Sequence, residues 1–233
     1  MYAGQKASKD GSQYCLFPLD YVKCNQLSGP DSYSHCCGHP CDWGAPGDAS
    51  GYPYYAPCDC TRTDILTSNG QTIYTSDAPV WTPSGLTYVS FLFAHDENIP
   101  AQTHFYQGDL IGRTGAKASG TIGLIGAHVH MDQSLIRNDV ITRYGVTCYY
   151  GNDCYALGRS AYVYDVFYLG GSETIVNTMG MHFQTIPSTP QPEPWEPPVV
   201  PPGGEGDLTA GGLLLLLKYR NRRQKHGKRV TRL

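Results

Sequence analysis

The chain has 233 residues, 40% hydrophobic and 12% aromatic, which is enough for one well-buried domain with extensions. Its net charge of −3 hides an asymmetry: Lys218 to Leu233 holds eight of the 17 Lys and Arg and no acidic residue, so residues 1–217 carry a net −11. Such a body repels phosphates and is excluded as a general nucleic-acid binder, while 18 Tyr, 27 Gly and 17 Pro against 16% charged residues favour β-structure with many turns.

Residues 1–30 read as an irregular lead-in that is polar to Gln13, runs through Tyr14-Cys15-Leu16-Phe17-Pro18-Leu19 and closes at Gly29-Pro30. Nine cysteines suit an oxidising exterior, yet Met1 to Tyr14 has no apolar run able to serve as a secretory signal. Release on lysis, or delivery as part of a particle, reconciles the two. Next comes Ser34-His35-Cys36-Cys37-Gly38-His39-Pro40-Cys41-Asp42-Trp43-Gly44, a turn-rich loop leading towards a strand at Pro53–Pro57. Catalytic zinc commonly takes three ligands from His and carboxylate, and His35, Asp42 and His130 would supply them. A Cys- and His-rich loop stapled by disulfides is the other reading of this segment.

Gln71–Tyr74 and Thr87–Phe93 are the clearest strands, and the second runs directly into Ala94-His95-Asp96, where a rigid sheet can present a side chain. Tyr106 to Gly115 reads as turn, short strand and turn, without phosphate-loop spacing. In Gly126-Ala127-His128-Val129-His130-Met131-Asp132 a strand would put His128 and His130 on one face and Ala127, Val129 and Met131 into the core.

Taken in order, Ser-His…Asp-Trp-Gly, Tyr-Ala-Pro, a strand ending in Ala-His, Gly-Asp-Leu-Ile-Gly and Ala-His-Val-His resemble the lysostaphin-type zinc endopeptidases over residues 33–132. The resemblance implies a mainly β fold, a central twisted antiparallel sheet with the zinc in a groove walled by loops. It implies Zn2+ on His35, Asp42 and His130, catalytic roles for His95 and His128, and peptide cross-links of bacterial peptidoglycan as substrate. Six residues separate His35 from Asp42 and two separate His39 from it. Because some relatives, phage tail enzymes among them, have a long Ser-His spacing, His35 is favoured over His39. Asp132 could orient a ligand from behind. His104, His182 and His226 have no counterpart in the motif.

Beyond the motif, Cys148 and Cys154 suggest a disulfide-closed loop; Cys36, Cys37, Cys41, Cys58 and Cys60 favour disulfides over a structural zinc, lacking paired C-x-x-C spacing. Tyr162 to Leu169 looks like a final strand. The expected organisation is a lead-in over 1–30, a zinc endopeptidase domain over 31–186, a Pro-rich linker over 187–206, and an apolar segment with a basic tail over 207–233. The apolar stretch ending at Leu217 is too short to span a membrane, leaving either a docking segment for partner proteins or a solvated end. These features point to a bacteriophage virion protein at the tail tip that opens the host wall during entry. The variant is an enzyme released at host lysis, and the alternative of another class is a non-catalytic tail-tip plug or wall-binding component.

Overall fold

A computed structural model describes residues 1–29, 32, 34–123, 125–147 and 153–187. They fall in one compact unit, Met1–Ser188; a second unit, Thr189–Leu233, lies outside the described residues, and with it most of the expected linker and all of the tail. Among the described residues the fold is mainly β, with one α-helical turn at Val163–Val166.

The central sheet has eight strands. From edge to edge they are His104–Phe105, Cys60–Leu66, Gln71–Ser76, Ser90–Ala94, Val129–Ser134, Cys41–Trp43, Tyr21–Gln26 and Thr174–Asn177. Every neighbouring pair is antiparallel except the last, where Thr174–Asn177 runs parallel to Tyr21–Gln26. The sheet is therefore mixed rather than wholly antiparallel as expected. Parallel neighbours cannot be joined by a tight turn, and these two strands lie at opposite ends of the domain sequence, with the rest of the sheet between them in chain order.

Strand alternation explains how the sheet builds a core on one face and a site on the other. Along Ser90–Ala94 all five residues are buried. Phe91 and Phe93 join Trp43, Tyr74, Val129 and Met131 in the main core, whereas Leu92 and Ala94 turn to the opposite face with Ile73 and Leu157. The main core is aromatic, with Phe17 edge-on to Trp43 at 4.8 Å and Tyr54 against Phe93 at 4.8 Å. Directly opposite residues share a face. Since Ala94 pairs with His130, and His130 with Asp42, all three line up across three strands on the face away from the aromatic core.

The segment expected as an irregular lead-in contributes the strand Tyr21–Gln26 and the buried side chains of Cys15, Leu16, Phe17, Leu19 and Val22. The Met1 amine is buried and lies 3.1 Å from the Glu173 carboxylate. The strand expected at Tyr162–Leu169 is instead a helical turn. Val163, Val166 and Phe167 are the buried residues there, a spacing of three and four that a helix satisfies and an alternating strand does not. The last described strand is Thr174–Asn177.

Candidate metal centre

The cross-strand register sets His130 beside Asp42, and the loop before Cys41 brings in His35, which is buried. His130 Nδ1 lies 3.0 Å from His35 Nε2 and 3.1 Å from Asp42 Oδ1, and His35 Nε2 is 3.3 Å from Asp42 Oδ1. Three lone-pair donors thus meet at one point. A single proton can bridge only two of them, and among the described residues the buried His35 Nδ1 has no hydrogen-bond partner to fix that ring's tautomer. Tetrahedral zinc with bonds of about 2.0–2.1 Å separates its ligand atoms by roughly 3.3 Å, so the donor set fits the ion in both chemistry and spacing. It is the group among the described residues that could hold a metal.

Burial pushes the Asp42 carboxyl up, but hydrogen bonds from His130 and His35 outweigh it and hold the group well below the usual carboxylate range. At His130 burial disfavours the cation, yet the bond to Asp42 and its charge prevail and raise the pKa. Burial lowers that of His35. The centre therefore combines an ionised carboxylate with imidazoles in its field, a combination suited to a divalent cation.

Two further imidazoles face this group. His95 follows the Ser90–Ala94 strand, and its ring centroid is 4.6 Å from that of His128 and 5.8 Å from that of His130. His95 Nδ1 lies 2.9 Å from the Lys117 carbonyl, and His128 Nδ1 lies 2.6 Å from the Gly126 carbonyl. Carbonyls only accept, so each Nδ1 carries a proton, and in the neutral ring it is Nε2 that keeps the lone pair. His128 Nε2 is 3.5 Å from Asp42 Oδ1. Burial, and then the charges of His130 and His128, push the His95 pKa down to about 4, which leaves it neutral at ordinary pH. Ala94, Gln26, Ser34, Asn69, Gln71, Ala118 and Ile125 complete the walls of a groove of about 600 Å³.

His95 sits at φ 78°, a conformation uncommon for a residue with a side chain, and its surroundings enforce it. Its N–H donates to Asn69 O at 2.9 Å. Asp96 Oδ2 accepts from Arg113 N at 2.8 Å and its Oδ1 from Asn98 N at 2.8 Å. Gly70 and Gly115 close over the turn; a Cβ on Gly115 would stand 2.2 Å from His95 O, and one on Gly70 1.9 Å from Asp96 O. Gly115→Ala should therefore displace the His95 backbone and move its ring relative to His128 and His130. The imidazole NMR signals of the variant beside its thermal midpoint will separate displacement from unfolding.

The structure also separates residues that the sequence left together. His39 points elsewhere: its ring stacks on Tyr162 at 3.8 Å between centroids and its N–H donates to Ser160 Oγ at 2.7 Å. Asp132 makes no hydrogen bond to a histidine ring; it accepts from Gln133 N, Leu157 N and Ser160 Oγ, bracing the chain behind His130. His104 pairs with Asp77 at 2.8 Å, far along the sheet. Cys41, Cys58 and Cys60 are buried free thiols, not members of disulfides, and neither they nor Cys36 and Cys37 belong to a metal-binding group among the described residues. The proposed Cys148 to Cys154 loop lies outside the described residues save for the strand start at Asp153. None of Asp96, Gly70, Gly115 and the groove amides Asn69 and Gln71 was given a functional role by the sequence; Asp96 was marked by its adjacency to His95, Gln71 as the start of a strand and Gly115 as the end of a turn.

No protein-family model matches the chain. It is 30% identical over 185 residues to Morphogenesis protein 1 of Bacillus phage B103, a match covering 75% of this chain and 45% of that protein. The chain thus spans less than half the length of this curated relative. Among solved structures, it is similar to a zinc-containing peptidase from Vibrio cholerae at 15% identity, covering 56% of this chain and 42% of that one, with a TM-score of 0.35. It is also similar to a putative glycyl-glycine endopeptidase LytM from Ruminococcus gnavus at 17% identity, covering 61% and 58% of the two chains, with a TM-score of 0.32.

Proposed function

We propose that the protein is a zinc-dependent endopeptidase that hydrolyses peptide cross-links of bacterial peptidoglycan. The observation that carries this reading is the meeting of His35 Nε2, Asp42 Oδ1 and His130 Nδ1 beneath two further imidazoles in an open groove. In it, His35, Asp42 and His130 hold the metal, and His95 and His128 work on the substrate. When bound, the ion supplies a Lewis acid and a water of lowered pKa. The chain's own residues do the rest. His95 and His128 each bond a carbonyl through Nδ1, so in the neutral ring Nε2 can accept a proton from the attacking water and pass it to the departing amine. The imidazolium formed in between stabilises the negative charge developing on the carbonyl oxygen. Lys117 O and Gly126 O keep each ring in the tautomer this exchange requires.

The biological setting proposed is a phage particle, with the protein at the tail tip opening the wall during entry; support comes from the 30% identity to a phage morphogenesis protein. In this reading residues 31–186 form the peptidase, the Pro-rich stretch is a spacer, and the basic tail docks onto other tail proteins. Among the described residues no helix is long and apolar enough to cross a membrane.

The test is mass spectrometry of purified peptidoglycan after incubation with the chain, with and without a zinc chelator and beside His128→Ala. New peptide amino termini that are absent in both controls are expected. Intact glycan peptides across several bacterial walls would favour a non-catalytic plug, and new reducing sugar ends would overturn the proposed chemistry.

A further inference from the structure

The groove has a second arm, and its chemistry differs from the first. Gln26, Asp42 and His128 line both, so the two arms meet at the metal centre. The first arm is walled by uncharged Asn69, Gln71, Ala118 and Ile125. The second, about 620 Å³, contains Lys23, the one Lys or Arg among the described residues lining either arm. Lys23 and Asn25 stand on the strand Tyr21–Gln26, and both line this arm with Asp48. Lys23 Nζ lies 2.6 Å from Asp48 Oδ1. Asp48 occupies the arm from a short turn after the Cys41–Trp43 strand, and its side chain is 57% exposed against 27% for Lys23.

A carboxylate is therefore already held by Lys23 beside the proposed site of bond cleavage, and the one occupying the position is internal and exposed. Such a surface ion pair is weak and exchangeable. Of the other acid lining this arm, Asp42, the charge is committed to His35 and His130. Lys23 thus becomes the available cation once Asp48 swings out.

We propose that this arm is a carboxylate subsite, in which Lys23, with Asn25 lining the arm beside it, exchanges Asp48 for a free carboxylate carried by the substrate peptide on one side of the scissile bond. The proposal rests on the endopeptidase reading and narrows its substrate to an acidic peptide. Asp48 then acts as a built-in competitor that keeps the arm selective. Position 48 has φ 53°, which asparagine adopts readily, so Asp48→Asn removes the competing charge without new backbone strain.

The experiment uses two synthetic peptides with the sequence of a cross-linked peptidoglycan stem, identical except that one bears a free carboxylate and the other a carboxamide. With the intact, zinc-loaded chain, the acid should show a KM about tenfold below the amide, a preference that shrinks as salt is added. Lys23→Ala should bring that ratio close to one, and Asp48→Asn should lower KM for the acid severalfold. Equal KM values in the unaltered chain, or a preference that survives Lys23→Ala, would overturn the subsite while leaving the endopeptidase intact. If neither peptide is cut, it is the endopeptidase that fails. Calorimetric binding of the same two peptides then decides the subsite separately, with preference for the acid supporting it and equal affinity overturning it.

Discussion

His130→Ala should leave the purified chain without stoichiometric zinc and without measurable wall hydrolysis. His130 Nδ1 is the atom nearest both other donors, at 3.0 and 3.1 Å, so its removal dissolves the cluster rather than trimming one corner. Loss of a group that only supports a metal ligand typically costs about 10–100-fold in affinity, so loss of the ligand itself should exceed about 100-fold. The consequence for Asp42 follows from its own surroundings. Its carboxyl is kept low by hydrogen bonds to His130 and His35, and half of that support disappears with the ring. Elemental analysis of protein loaded with one equivalent of zinc, then dialysed, gives the readout. The same measurement resolves the two histidines of the Cys-rich loop: His35→Ala should lose the metal and His39→Ala should retain it, because the His39 ring packs on Tyr162 outside the cluster. Retention of zinc by His130→Ala would sink the ligand assignment.

The residues that meet at this centre were legible in the sequence because their spacing encodes strand geometry. His128-Val129-His130 reads directly as alternate faces, and Val129 and Met131 are indeed buried in the aromatic core while His130 faces Asp42. The strand Ser90–Ala94, with its apolar residues and terminal His95, was visible for the same reason. What stayed hidden depends on contacts distant in sequence. Nothing in Ser90–Ala94 announces that Ala94 will lie opposite His130, and nothing in the glycine at 115 announces that its backbone passes against His95. Sequence alternation also misled at Tyr162–Leu169, where aromatic and aliphatic residues alternate but burial follows a helical turn. The parallel edge strand Thr174–Asn177 escaped because its side chains are all exposed, so it has no buried face to impose a pattern.

Asp132→Ala should be the most destabilising single substitution near the site, by about 3–5 kcal/mol, because it strips three donors of a buried acceptor. The carboxylate is 1% exposed. Its Oδ2 accepts from Leu157 N at 2.6 Å and its Oδ1 accepts from Gln133 N at 2.9 Å and from Ser160 Oγ at 2.5 Å. Burial raises its pKa, and the bonds from Ser160 and Leu157 offset part of that. A carboxyl raised in the folded state costs stability at neutral pH and returns it as pH falls through the folded pKa towards the model-peptide value. Asp132→Asn, which keeps an acceptor for Leu157 and has no charge to desolvate, should therefore be far milder than the alanine variant. Ser160 links this brace to the metal loop, since its Oγ accepts the His39 N–H at 2.7 Å while donating to Asp132. Removing the carboxylate should thus loosen the segment that positions His35, and Asp132→Ala should lose zinc more readily than Asp132→Asn. Urea denaturation of both metal-free variants gives the stability difference, and competition with a chromophoric chelator gives the affinity difference. A large stability loss with unchanged zinc affinity would show that the brace supports the sheet alone. A parallel fall in both would show that the carboxylate behind His130 holds the metal loop in place through Ser160.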